Sequence, residues 1–420
     1  VADDNAVGSS SLTYDQGRYI ADELVERSEL LHKLPQLCDA KPLAKGNGDT
    51  AEFVKYNRTN VPVEQLSEGV TPDGTEFTIS RQTIQVDKWG MYITLTDVAE
   101  VTTKHPVLNE ALDLVADAMA RCQDYNIAEV LNAGTNVQFW EGSRADRSAI
   151  TATDYFSAEV FNRARADMND QGAKPRVGDF FVIVCGPQVE ADILHESAAV
   201  GSFAASAQQQ KMDKLEKGHV GDWLGFRIIR SNFMPKFVRF THGFTVAISN
   251  TASGQLSGTV YFKITRKDLT RGFEEAICAE ATQAMGGGGD DTITFTAPLT
   301  SGYVYNIYAG SATGDANLWL VKENLAASGS YVLTALLTSG TNPPTTPASG
   351  VTVHPMYIFA AKAVDHVEIS ELNMGAGITP KTRSDSDPLQ QRRKVGAKWN
   401  HKAGIRNSFA TKRIELASQF

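Results

Sequence analysis

One helical pattern, running from His105-Pro106 to Gly134, constrains this chain more than any other feature. Leu108, Leu112, Val115, Met119 and Cys122 recur at +4, +3, +4 and +3, with Ala111, Ala118 and Tyr125 flanking the stripe. Proline opens the pattern, where its missing N–H has no helical partner to lose, and Gly134 stops it. Such a run predicts a rod of roughly 40 Å, more than twice the common helix length. The heptad spacing lasts only two repeats, so a core helix fits better than a coiled-coil seam.

What precedes the rod is equally extended. Phe77, Ile79, Ile84, Val86, Tyr92 and Leu95 alternate in broken two-residue steps between Thr50 and Asp97, a strand signal. Between the strand-like arms, Pro62 to Gly74 carries the turn chemistry of Glu68-Gly69, Pro72 and Asp73-Gly74. The expectation is a long β-hairpin with an irregular tip over residues 51–96. An isolated hairpin is marginal in water, so something outside it must cover its faces. Further upstream, Val1 to Leu12 reads as a flexible arm, and Ile20, Leu24, Leu31 and Leu34 give an amphipathic helix that Pro35 ends.

Downstream the style becomes α/β. Helices are expected over Ala158–Met168 and Pro187–Leu194, and strands over Phe180–Cys185 and Trp223–Arg230. From about Phe237 Gly, Thr, Ser and Ala rise. Seven short β-like runs follow: Thr245–Ser249, Thr259–Thr265, Glu275–Ala281, Thr292–Thr296, Tyr303–Tyr308, Leu318–Lys322 and Tyr331–Leu336. Short strands separated by turn signals suggest a β-sandwich. Gly286–Gly289 reads as a flexible joint inside it, and Asn342–Pro347, with three prolines, as an extended linker out of it. The α/β style returns with a buried strand over Met356–Ala361, followed by Val364–Leu372. The sandwich therefore reads as an insertion into a host domain.

Composition narrows the function classes. Apolar residues at 42% and charged residues at 21% exclude disorder as the main state. The net charge of −9 is unevenly spread. Lys381 to Arg413 holds ten Lys or Arg and two Asp, a local +8 that leaves −17 on the remaining chain. Arg392, Arg393, Lys394, Lys398, Lys402, Arg406, Lys412 and Arg413 are interleaved with Trp399 and Phe409. That combination can bind phosphates and stack bases. Yet Val395, Trp399, Ile405, Phe409, Ile414 and Leu416 also fit strand or packing positions, which favours a strand pair whose basic groups meet acidic surface.

No run approaches the ~20 apolar residues that span a bilayer, and no charged-then-apolar leader opens the chain. The four cysteines, Cys38, Cys122, Cys185 and Cys278, lie far apart, which argues against a disulfide framework or zinc site and fits a reducing cytosol. Nucleophile elbow, Walker loop, zinc helix and calcium loop patterns are absent. No catalytic residue, metal ligand or cofactor is expected. Arm, hairpin and rod bury little within their own segments, and further copies of the chain are the simplest cover.

Several strings carry a family resemblance. Leu66-Ser67-Glu68-Gly69-Val70-Thr71-Pro72 resembles an extended-loop tip, and Trp89-Gly90-Met91-Tyr92-Ile93-Thr94-Leu95-Thr96-Asp97 its returning strand. Arg163-Ala164-Arg165 with Gln171–Pro175, then Gly186-Pro187, Trp223 and Gly225-Phe226-Arg227, resemble later parts. His354–Phe359 and Asp387-Pro388-Leu389 through Gly396-Ala397-Lys398-Trp399 resemble the C-terminal part. In this order, over about Asp15–Pro235 and Val351–Phe420, they resemble major capsid proteins of tailed bacteriophages, of a podophage-type branch. Lys236–Gly350 departs from that pattern; Tyr305-Asn306-Ile307-Tyr308 resembles immunoglobulin or fibronectin type III modules.

The resemblance implies an α+β chain with the Hong Kong 97-type capsid fold and an inserted β-sandwich. The implied parts are an N-terminal arm (1–50), an extended loop (51–96), a spine helix with peripheral domain (97–150, completed by 373–420), an axial domain (151–235, completed by 351–372) and the insert (236–350). It implies a virion protein, assembled in the host bacterial cytoplasm into hexamers and pentamers of an icosahedral shell. Portal and scaffolding functions and a decoration protein would be partners, and double-stranded DNA would be packaged without sequence-specific binding. The candidate inter-subunit residues are Glu64, Glu68, Asp73 and Trp89 on the extended loop and Arg392, Arg393 and Lys398 in the basic C-terminal strand region, with Glu52, Glu64, Glu68 and Asp73 expected to meet Arg392 or Arg393 of a neighbour. The runner-up is an encapsulin-like nanocompartment, which shares the fold; a glycan-binding role for the insert is a third reading.

Overall fold

The computed structural model describes residues 34–43, 48–56, 76–96, 102, 107–195, 219–250, 255–285, 291–369 and 392–419. The N-terminal arm and its expected helix, the hairpin tip and the Gly286–Gly289 joint lie outside them. The chain divides into two compact units, one holding Pro35–Ile127 and Lys362–Asn407, the other Ala128–Ala361 and Ser408–Phe420.

In the first unit β1 (Asp39–Pro42), β19 (Val364–Glu368), β20 (Arg392–Ile405) and β4 (Asp87–Thr96) form a sheet in the order β1-β19-β20-β4. The β4–β20 pairing is antiparallel and runs from His401↔Asp87 to Arg392↔Thr96. Helix α1 (Val107–Asn132), whose residues after Ile127 belong to the second unit, covers one face of β4. Alternation puts Trp89, Ile93 and Leu95 on one side of the strand. Val107, Ala111, Val115 and Cys122, at helical spacing, pack against them. The expected rod over 106–134 is thus present at nearly its expected ends.

The hairpin pairs β2 (Thr50–Tyr56) with β3 (Ile79–Gln85), in register from Thr50↔Gln85 to Tyr56↔Ile79. Here the expectation needs correcting. The run Trp89–Thr96 is not the returning arm of this hairpin; it is β4, in the other sheet. The break is a single residue, Val86, whose N–H donates to the Asp49 carbonyl at 2.8 Å. At the hairpin base Ala51, Phe53, Ile84 and Val86 bury against Leu43 and Val367.

The second unit is organised about β18 (Thr352–Phe359), buried along nearly its whole length. It pairs antiparallel with β6 (Phe181–Cys185) and with β21 (Thr411–Leu416). β6 lies parallel to β8 (Phe226–Arg230), and β7 (His219–Trp223) returns beside β8. The two-residue turn between β7 and β8 has positive φ at Leu224 (48°) and Gly225 (86°), the geometry that suits a twisted hairpin. β5 (Val137–Phe139) adds to β21. Helices α2 (Ala158–Asp170) and α3 (Pro187–His195) bury Val160, Phe161, Ala164 and Met168, and Val189 and Ile193.

The remaining strands form two sheets around one core. One is β10 (Thr245–Asn250), β14 (Asp291–Thr296) and β17 (Ser330–Leu333). The other contains β11 (Thr259–Asp268), β12 (Glu274–Ile277), β13 (Ala281–Ala284), β15 (Tyr303–Gly310) and β16 (Trp319–Ala326). Val260, Phe262 and Ile264 from β11 meet Ile293 and Phe295 from β14, with Tyr305, Ile307 and Leu333 closing the core. The single run expected over Glu275–Ala281 is two strands, β12 and β13.

This block does not hang on free linkers. β9 (Phe237–Arg239) pairs with β12 on one side and β18 on the other, so one sheet runs continuously into the host sheet. The proline tract is anchored rather than loose. Asn342 Nδ2 donates to the carbonyls of Asp315 and Leu318, Lys263 Nζ to Pro344 O at 2.9 Å, and Thr346 Oγ1 to Cys278 O at 2.9 Å. Prolines contribute no N–H, so the anchor comes from the side chains of Asn342 and Thr346, which donate outward, and from the Pro344 carbonyl, which accepts from Lys263.

Candidate assembly surface

Two faces of the first unit leave apolar groups in water. On the hairpin, side chains alternate across the ribbon. Phe53 and Ile84 turn inward, while Val54 is 48% exposed, Ile79 42% and Phe77 63%. Tyr92, on β4, is 61% exposed. Burying such a side chain contributes roughly 1.5–3 kcal/mol, so these positions are where a partner gains most.

The proposed contact residues fall as follows. Glu64, Glu68 and Asp73 lie outside the described residues. Trp89 is half-buried, packed beside Val115 with its ring 6.4 Å from that of His401. Arg392 and Arg393 stand opposite Thr96 and Leu95 at the start of β20, and Lys398, opposite Gly90, is exposed.

Much of the basic C-terminal tract is neutralised within its own unit. Lys402 Nζ reaches Asp87 at 2.8 Å, and Arg406 Nε reaches Asp365 at 2.7 Å. Lys412 Nζ reaches Asp167 at 2.6 Å, and Arg413 Nε lies 2.8 Å from Glu415. Glu415 is fully buried and also takes a bidentate pair of 2.7 Å bonds from Arg147, whose guanidinium lies 3.6 Å from the Phe237 ring centroid. Burial alone would raise the Glu415 carboxyl; Arg147 and Arg413 outweigh it and hold the group below the usual carboxylate range. Lys402, Arg406, Lys412 and Arg413 thus have intramolecular work, which weakens the case for a DNA-binding tract. Ile414 and Leu416 are buried as expected, but Phe409 is half exposed. The Arg147–Glu415 pair spans 268 residues, and no local pattern announces it.

A second buried polar group was not anticipated either. Asn126 Nδ2 lies 3.0 Å from His401 Nε2, His401 Nδ1 lies 3.3 Å from His366 Nε2, and His366 Nδ1 lies 3.3 Å from Glu368 Oε1. With both imidazoles neutral every contact is satisfied in one direction. Asn126 donates to His401, His401 to His366 and His366 to Glu368. Burial, then the neighbouring His366, pushes the His401 pKa down to about 3, and burial lowers His366. Among the described residues no group of three or more His, Cys, Asp and Glu is placed to hold a metal ion, and no helix is long and apolar enough to cross a membrane.

Comparison with known proteins agrees with this architecture. Residues 80–274 match a family model described as phage capsid protein. Among solved structures, the capsid of Ralstonia phage GP4 aligns over 100% of this chain and 99% of its own, with 11% identity and a TM-score of 0.53. The cyanophage Pam1 capsid aligns over 97% of each chain, with 10% identity and a TM-score of 0.54. The cyanophage P-SCSP1u capsid aligns over 96% of this chain and 93% of its own, with 12% identity and a TM-score of 0.50. No curated protein matches the sequence significantly. The chain thus shares the fold of these phage capsid proteins, and its residues 80–274 are similar to a phage capsid protein family.

Proposed function

We propose that this chain is a phage major capsid protein, the repeating unit of an icosahedral shell in which hexamers and pentamers of one chain enclose double-stranded DNA. The observation that carries this reading is the apolar hairpin face at Val54 and Ile79, exposed to solvent in the single chain. A neighbouring copy is the cover that symmetry supplies at every position of a shell. The hairpin lies over that neighbour, and the N-terminal arm reaches another. Many modest contacts then add, because each linked contact raises the effective concentration of the next. Glu64, Glu68 and Asp73 meet the neighbour's Arg392 or Arg393, with Lys398 beside them. Residues 236–350 form an immunoglobulin- or fibronectin-like insert that projects from the shell and replaces or binds a decoration protein. Portal and scaffolding proteins complete the particle in the bacterial cytoplasm. The surplus of acid outside Lys381–Arg413 keeps the packaged DNA from adhering to the wall.

The test is charge reversal. Glu68→Lys lowers the yield of closed shells on purification, and adding Arg393→Glu restores part of it. Normal shells from Glu68→Lys alone refute the pairing.

A further inference from the structure

In the second unit, a cavity of about 100 Å³ opens between the start of α3 and the strand ends around Lys236 and His354. Gly186, Pro187 and Gln188 line one side, and Lys236, Arg271 and His354 the other. A shallower hollow of about 300 Å³ adjoins it and shares Gln188, Lys236 and His354.

The charges in this cavity do not balance. Lys236 has no acidic partner within ion-pair distance among the described residues. Arg271 donates to the Met234 carbonyl and lies 3.3 Å from Glu275 Oε1, without the alignment of a hydrogen bond. Glu275 lies near both cations and accepts a hydrogen bond from the Lys236 backbone N–H, and burial pushes its pKa up to about 7. His354 is 8% exposed, yet its ring has no hydrogen-bond partner among the described residues. The His354 ring lines the cavity, so whatever fills the cavity supplies its hydrogen-bond partner. Burial, then Lys236 and Arg271, pushes the His354 pKa down to about 4, as a positively charged surrounding requires. Gly186, preceding α3, has no side chain to cap the first turn, and Pro187 has no N–H, so this helix end offers the Gln188 and Val189 amides; Glu190 in the same turn is paired with Arg230 at 3.5 Å.

We propose that this cavity is a binding site for a small oxyanion of the phosphate class, held by Lys236, Arg271, the His354 imidazole and the amide end of α3. Size selects the ligand. A cavity of about 100 Å³ has room for a phosphate-sized group, whether a free ion or one phosphate of a larger molecule reaching in through the adjoining hollow. Helix N-termini bearing free amides bind such anions readily. Nothing in this site depends on shell assembly, so its failure would leave the capsid reading intact.

Isothermal titration of inorganic phosphate into the full-length chain, at ionic strength balanced with chloride, tests the site. One saturable site per chain is expected. Lys236→Gln weakens it at least tenfold while leaving the melting temperature without phosphate unchanged, and His354→Gln provides a second, uncharged perturbation. A short DNA duplex serves as the second probe: competition that depends on Lys236 assigns the phosphate source to the nucleic-acid backbone, and its absence assigns it to the free ion. The proposal is overturned if phosphate gives no heat beyond chloride, or if properly folded Lys236→Gln and His354→Gln bind phosphate like the parent.

Discussion

The Asn126–His401–His366–Glu368 chain predicts an acid-labile first unit. Its hydrogen bonds all run one way only while both rings are neutral. A proton added at His401 Nε2 would face the Asn126 amide donor, and one added at His366 Nε2 would face His401 Nδ1–H. The sign follows from the lowered folded-state value. Stability from this pair is complete above the unfolded pKa of 6.5 and is lost as pH falls toward about 3. With only His401 titrating, the loss is about 2 kcal/mol at pH 5 and about 3 kcal/mol at pH 4, from the usual ~1.4 kcal/mol per pKa unit. For a unit of this size that corresponds to roughly 4–8 °C in Tm at pH 5. Asp87 and Glu368, the carboxylates acting on the pair, work against the shift but do not reverse it. The assay is scanning calorimetry of the parent and His401→Gln from pH 7.5 to 4.5. Glutamine keeps an acceptor for Asn126 and a donor for His366 but carries no titrating group, so the difference between the two curves isolates the histidine. Parallel Tm–pH curves would refute the reasoning.

Three further outcomes are expected. Arg147→Met leaves the fully buried Glu415 carboxylate with Arg413 as its remaining cation and destabilises the second unit by about 3–5 kcal/mol, measured by denaturant unfolding. Gly404→Ala places a Cβ 2.6 Å from Ile84 Cδ1, a side chain buried in the hairpin base, and costs about 1–3 kcal/mol by the same assay. Val54→Asp with Ile79→Asp leaves the unfolding free energy of the free chain within about 1 kcal/mol of the parent, since both sites are exposed, but sharply lowers shell yield in sedimentation.

The parts most legible in the sequence are those whose signals are local. α1 declares itself through its stripe, its opening proline and its closing glycine. β6 and β18 declare themselves as apolar runs buried on both faces, as strands inside a layered sheet must be. The hairpin was legible only in part. Alternation reads straight through Val86, and nothing within ten residues reveals that β4 pairs with a strand some three hundred residues later. The insert's strands were visible one by one, but its continuity with the host sheet rests on three residues, Phe237–Arg239, too few to carry a pattern. The proline tract misled because composition reports missing backbone donors, not the Pro344 carbonyl that Lys263 captures or the outward bonds of the Asn342 and Thr346 side chains. The charge tract misled in the same way: sequence counts cations, and only the fold shows that Asp87, Asp167, Asp365 and Glu415 lie against them.

The account rests on a chain whose exposed hairpin face is completed by other copies of itself. Electron microscopy of the purified chain, concentrated at neutral pH, tests this most directly. Closed, uniform shells with six-fold and five-fold clusters are the predicted result. A monodisperse, well-ordered monomer at the same concentration, with Val54, Phe77 and Ile79 protected from solvent, would contradict it.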